Sequence, residues 1–262
     1  MTVQNEATAL AVFDRIVCGV DGTPEALEAA RQAERLRSPD GALELAAVEE
    51  VNTAVHAGFA LSRVLDEIET AARDGLQRAA DEVSPTSSRL LTGEPGPCLL
   101  DEIERTDATL VAAGPRGHSR AAGVLLGSVA ATLLHEAPCS VLLARPPRFG
   151  DFPSSIVVGV DGSPQSLAAA AVAKAIAERF GSEYLIVTAT GGKRIDLAPI
   201  QELSRHFVSD PGRPAEVLTD LSKEADLLVV GSRGLHGLKA LGSVSERVGH
   251  RASSSVLVIR QP

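Results

Sequence analysis

Residues Ile16–Leu36 read IVCGVDGTPEALEAARQAERL, and residues Ile156–Ile176 read IVVGVDGSPQSLAAAAVAKAI, the same pattern displaced by a constant 140 positions. Each opens with an apolar, partly β-branched run of strand length, turns at Asp-Gly and continues with helical periodicity. Thr23 or Ser163 stands at the N-cap, and Pro24 or Pro164 suits the first helical position. Agreement across a strand, a turn and a helix identifies an internal repeat.

A second match joins Gly127–Arg145, GSVAATLLHEAPCSVLLAR, to Gly242–Arg260, GSVSERVGHRASSSVLVIR, at an offset of 115. Between them, ATLVAAG (108–114) and ADLLVVG (225–231) are offset by 117. The second copy is therefore 25 residues shorter, 23 lost before that strand and two in the loop after it.

The periodicity of copy one predicts strands at 15–20, 42–48, 87–91, 109–113 and 139–144, with helices at 24–37, 61–83, 96–106 and 128–136. Copy two predicts strands at 155–160, 183–189, near 205–208, 226–230 and 255–259, with helices at 164–180, 213–224 and 243–252. Alternation of this kind gives an α/β fold, with helices covering both faces of a parallel sheet. The short interval between its second and third strands leaves copy two little more than a turn around Pro199–Leu203 where copy one has the 61–83 helix. The join, Arg145–Pro153, holds three prolines and a glycine and reads as a short stiff linker. The expected domains are residues 1–147, complete, and 148–262, shortened.

With 262 residues and 34 acidic against 25 basic side chains, the net charge is −9. That disfavours a general nucleic-acid or anionic-membrane binder, although local positive groups can still hold a phosphate. Aromatic content of 3% leaves few base-stacking platforms. Cys18, Cys98 and Cys139 lack CxxC spacing and an even count, so a reducing, cytoplasmic setting is expected. No leader pattern or membrane-length apolar run is visible.

After the 109–113 strand the chain runs Gly114-Pro-Arg116-Gly117, then nine residues to Gly127-Ser128-Val129, the pattern G-x2-G-x9-G-S. Such a loop can aim backbone N–H groups and a helix N-terminus at an anion, with Ser128 capping the helix or donating to a phosphate. It can equally be plain punctuation between a strand and a helix. Arg116, His118 and Arg120 make it locally positive, and it is neither a Walker A loop nor GxGxxG. Asp21 and Asp161 can tie down their own turns or accept from an adenine amino group or ribose hydroxyl. Asp21 and the glycine loop are expected on one sheet edge, where strands one and four meet.

Competing chemistries have less support. The histidines have no metal-binding spacing, and His135 and His250, at matching helix positions, read as packing or capping residues. No nucleophile elbow appears. Cys98, opening a helix, is a candidate for a lowered pKa or a plain buried thiol.

VDGTPEA, VDGSPQS, the glycine loop and the tails APCSVLLAR and ASSSVLVIR together resemble the universal stress protein family in its tandem, ATP-binding form. The resemblance covers roughly residues 14–145 and 154–260. It implies two five-stranded parallel sheets of order 3-2-1-4-5 and a regulator that binds ATP, with or without Mg. For copy one it assigns Asp21 and Val48 to the adenosine, and Gly114, Arg116, Gly117, Gly127, Ser128 and Val129 to the ribose and phosphates. For copy two the corresponding residues are Asp161, Ala189, Gly231, Gly234, Gly242, Ser243 and Val244, around a loop two residues shorter. It also implies pairing through the fifth strands, here within one chain, 139–144 against 255–259, with a further homodimer open. A nucleotide-free scaffold for another protein and a weak ATP hydrolase are the rival functions.

Overall fold

Short apolar strands that alternate with helices must bury both faces, and the chain does so in one sheet. The computed structural model describes residues 13–50, 61–117, 126–148, 150–192, 207–232 and 244–260. In the first half β1 (Phe13–Gly19), α1 (Pro24–Leu36), β2 (Arg37–Glu49), α2 (Leu61–Glu82), β3 (Ser87–Thr92), α3 (Pro95–Thr106), β4 (Leu110–Ala113), α4 (Ser128–Glu136) and β5 (Ser140–Leu143) follow one another. The second half supplies β6 (Ser155–Gly159), α5 (Pro164–Phe180), β7 (Glu183–Ala189), β8 (Phe207–Asp210), α6 (Pro214–Leu221), β9 (Leu227–Gly231), α7 (Val244–Arg251) and β10 (Ser255–Ile259).

The ten strands lie in the order β3-β2-β1-β4-β5-β10-β9-β6-β7-β8. Each half is thus a tandem α/β domain with a five-stranded parallel sheet of order 3-2-1-4-5, the second reversed beside the first. Most strand limits follow the periodicity. The exceptions are β2, which starts at Arg37 rather than 42, directly after α1, and β8, which lies two residues further along than expected. The early start of β2 comes from an added pairing of Phe13 with Arg37, separated from the regular ladder by a register shift. The region expected to hold the reduced crossover around Pro199–Leu203 lies outside the described residues.

Alanine lets the helices approach closely. In α1, Ala26, Ala29, Ala30, Ala33 and Leu36 form one buried stripe, as Ala169, Ala170, Ala173, Ile176 and Ala177 do in α5. Thr23 caps α1 by accepting from Ala26 N at 3.2 Å, and Ser163 caps α5 by accepting from Ser166 N, both with proline following as expected. On each side of the sheet the buried core runs through both halves without a break.

The halves meet at β5 and β10, the antiparallel seam, where Leu142 stands opposite Leu257 between Val141↔Val258 and Leu143↔Val256. Arg145 N donates to Ser255 Oγ at 2.9 Å and Arg260 N to Ser140 Oγ at 3.2 Å. The two guanidinium groups reach across in opposite directions, Arg145 Nη2 to Gly249 O of α7 at 2.7 Å and Arg260 Nη2 to Leu134 O of α4. Each cation therefore meets carbonyls in the last turn of a helix, where the backbone dipole favours positive charge. Buried Gln32 completes the seam, donating to Arg145 O at 2.7 Å and accepting from Ser255 Oγ at 2.7 Å.

Leu134 and Gly249 occupy equivalent positions in the repeat but are complementary in shape. A Cβ on Gly249 would lie 2.7 Å from Leu134 Cδ1. Gly249→Val is expected to lower stability by about 1–3 kcal/mol through overpacking. Adding Leu134→Ala to that chain recovers part of the loss, a coupling that denaturant titration of the single and double variants reads directly.

Candidate functional site

β1 and β4 are neighbours, and the chain leaves them in opposite directions along the sheet, so their C-terminal ends open a crevice at the topological switch point. A cleft of about 580 Å³ occupies it. One side is formed by Val20, Asp21 and the loop Gly114, Arg116 and Gly117. Gly127, Ser128, Val129 and Thr132 of α4 form a second side, and Val48 with Ile68, Ala71 and Ala72 of α2 an apolar third. All eight site residues expected in copy one line this single cleft.

Asp21 performs the first of the tasks considered for it and stands where the second would be carried out. Its Oδ1 accepts from Thr23 N at 2.9 Å and Thr23 Oγ1 at 2.6 Å, which closes the turn before α1. Its Oδ2 faces the loop, since a Cβ built on Gly117 would stand 2.8 Å from that oxygen. Gly22 has φ +80, a conformation that glycine adopts without penalty, and Gly75 of α2 comes so close that a Cβ there would lie 2.9 Å from Gly22 N.

The loop glycines serve different ends. Gly114 permits contact with the first turn of α1, where its Cβ would meet Glu25 backbone at 3.0 Å. Gly117 keeps space beside the Asp21 carboxylate. Gly127 N donates to Pro115 O at 2.8 Å and so ties the two ends of the loop together. Gly127, not Ser128, is the N-cap of α4, so the cap residue offers that terminus no side-chain acceptor. The capping role considered for Ser128 is therefore corrected: it is the first helical residue and lines the cleft, as do the next residues of the first turn of α4. Val48 lies two residues past the last β1–β2 pair, Gly19↔Ala46, at the sheet edge beside the cleft.

Copy two repeats the turn. Asp161 Oδ1 accepts from Ser163 N at 3.0 Å and Ser163 Oγ at 2.6 Å, and Gly231 presses against α5 as Gly114 presses against α1, where a Cβ would run into Gln165 O. Ala189 closes β7 opposite Asp210, and Val244 begins α7. Gly234, Gly242 and Ser243 lie outside the described residues, as do His118 and Arg120 of copy one.

Thiol chemistry finds no support. Burial, reinforced by Asp21, pushes the Cys18 thiol up to about 12, and burial pushes Cys139 up to about 11. The Cys98 thiol is raised, by burial and then by Asp101 and Glu94, which corrects the lowered value considered from its place at a helix start. His135 packs in the seam, its Nε2 3.6 Å from Glu246 Oε1 of the other half. No group of three or more potential metal ligands forms among the described residues, and none of their helices is long and apolar enough to cross a membrane.

Glu50, Glu94, Gly96, Leu99 and the α2 residues also line the cleft and were not singled out from sequence. The one available signal was the spacing of Ala71, Ala72 and Gly75, small residues on a helix that must cross the Asp-Gly turn closely.

A parallel five-stranded sheet in each half, with a cleft at the switch point of the first, defines an α/β protein of the doubly wound kind. The chain belongs to the universal stress protein family, whose model matches residues 13–145 and 192–260. Universal stress protein Rv2005c of Mycobacterium tuberculosis is 34% identical, with 70% of this chain and 71% of that protein covered. Rv1996 of the same organism is 30% identical across 94% and 95%. The crystal structure of a universal stress protein from Archaeoglobus fulgidus has the same fold, with a TM-score of 0.74 at 21% identity over 95% of this chain and 97% of that one.

Because Asp21 closes a turn as well as facing the cleft, its substitutions should separate. Asp21→Ala is expected to cost about 1–2 kcal/mol by releasing both Thr23 donors, whereas Asp21→Asn keeps an acceptor and most of the stability. Thermal unfolding of the two ligand-free variants checks this.

Proposed function

We propose that the first half binds ATP or a close adenine nucleotide, and that the chain works as a nucleotide-dependent regulator in the stress response. The observation that carries this reading is the meeting of Asp21 Oδ2 with Gly117 beside the glycine-started N-terminus of α4, across one switch-point cleft. Phosphate is suited to the loop because backbone N–H groups and the helix dipole favour negative charge, and Arg116 adds a cation. The base is suited to the apolar side formed by Val48, Ile68 and Ala72, with the Asp21 carboxylate as acceptor for the sugar or the amino group. Asp21, Glu50 and Glu94 bring three carboxylates to the same cleft, so the nucleotide is proposed to enter with Mg, which offsets charge between it and the protein. A general base for hydrolysis is not identified, and binding rather than turnover is the proposed activity. The setting is proposed to be cytoplasmic.

Release of ligand from freshly purified protein, identified by mass spectrometry, tests the reading first; protein that carries none and shows no calorimetric heat with Mg-ATP would return the scaffold function. Gly117→Ala is expected to weaken ATP binding at least tenfold, because the methyl group would crowd Asp21 Oδ2 at the point where backbone must approach phosphate. Asp21→Asn, folded, is expected to lose about 1.5–3 kcal/mol of affinity as an acceptor becomes a donor.

The halves are proposed to be unequal, since the second loop is two residues shorter. Titration of Asp21→Asn and Asp161→Asn chains is expected to show most ATP binding lost only in the former. Two equal sites, each abolished by its own substitution, would overturn the inequality.

A further inference from the structure

Strands β4 and β5 leave the sheet side by side. Ala113 pairs with Leu143, and Ala144 N donates to Ala113 O at 3.0 Å. Three residues beyond Ala113, Arg116 lines the cleft. Two residues beyond Leu143, Arg145 turns into the other half and donates to Gly249 O at 2.7 Å and to Ser254 O at 3.2 Å. Two guanidinium groups thus leave adjacent strand ends, one at the ligand cleft and the other locked in the seam.

Helix α4 makes a second connection between the same places. Its first turn lines the cleft, with Ser128, Val129 and Ala130, and its start is tied to the glycine loop by Gly127 N to Pro115 O. Its last turn belongs to the seam: Leu134 fills the space left by Gly249, Leu134 O accepts from Arg260, and His135 faces Glu246. Nine residues at 1.5 Å each place the two ends about 13 Å apart.

We propose that an anionic ligand in the first cleft tightens the docking of the second half, through the Arg116–Arg145 pair and helix α4. This rests on the nucleotide reading above. The two states are a docked seam, with Arg145 buried against the carbonyls of α7, and a loosened one, with Arg145 in water. In the docked state the two cations repel across protein, and burial together with Arg116 lowers the Arg145 pKa to about 10, still charged at neutral pH. In the loosened state water and salt screen that repulsion. An anion beside Arg116 offsets it only where it is felt, so the ligand favours the docked state, and docking favours the ligand by the same factor.

Hydrogen exchange of the Asp161→Asn chain, with calorimetry on the same sample, tests this. Asparagine retains the turn acceptor, and the substitution removes the carboxylate from the second half's own site. With saturating Mg-ATP, amides of residues 244–251 are expected to exchange about fivefold more slowly, a typical coupling between sites. Saturating adenosine, which carries no phosphate, is expected to leave them unchanged. Adding Asp21→Asn removes the protection at the same ATP concentration. By reciprocity Arg145→Gln lowers ATP affinity about fivefold and spares adenosine, while Arg145→Lys, which keeps the charge, retains most of it. Heat of ATP binding without protection at 244–251 overturns the coupling and leaves the nucleotide reading standing. Equal protection by adenosine overturns it as well, and absence of any heat overturns both.

Discussion

A strand at the edge of a sheet exposes a row of unpaired N–H and C=O groups, and each half of this chain brings one such edge, β5 or β10, to the other. The pairing of these edges is the constraint on which the rest depends. It closes one ten-stranded sheet, makes both cores continuous and fixes α4 against α7. Backbone pairing alone would allow the two strands to slip. Arg145 and Arg260 prevent this, because each guanidinium finds its carbonyl in the opposite helix in one register only. The exchange also solves a problem of burial, for each cation enters the seam where helix C-terminal carbonyls can receive it.

The cleft follows from the same economy of small residues. With no tryptophan and 3% aromatic residues, the elements approach through alanine and glycine, and the backbone itself becomes the available surface. Gly22 against Gly75, Gly114 against α1 and Gly117 against Asp21 are three such approaches at or next to the cleft. Two of them hold the scaffold, and the third keeps backbone open beside the Asp21 carboxylate. Asp21 joins these tasks in one carboxylate, one oxygen holding the turn and the other facing the loop.

The fold was largely legible because the repeat displays each strand and helix twice, and because caps such as Thr23-Pro24 act locally. The start of β2 was not, since Arg37 joins the sheet only through a long-range pairing with Phe13. In the site, Asp21 and the loop glycines were legible from turn chemistry, and their convergence from strand order. Ile68 and Ala72 were not, because a helix residue that faces a cleft has the same apolar character as one that faces the core. The cap of α4 was left open between two roles for Ser128 because serine before a helix is a frequent cap; here Gly127 takes that position and Ser128 lines the cleft. For Cys98, a helix start argued for a lowered pKa, but burial and two neighbouring carboxylates outweigh the dipole.

The linker between the halves looks in sequence like a spacer, yet its backbone is written into the second core. Buried Asp226, at the end of β9 nearest the linker, accepts from Arg148 N at 3.0 Å, from Ser154 N at 3.1 Å and from Ser154 Oγ. A protein cut at the start of β6 would leave a buried carboxylate stripped of those donors, with a penalty of several kcal/mol for a desolvated charge. The repeated unit and the folding unit therefore start at different places: the repeat resumes at Ile156, whereas the interior of the second half reaches back to Arg148, so a protease or a gene fusion that cut at β6 would take part of that interior away.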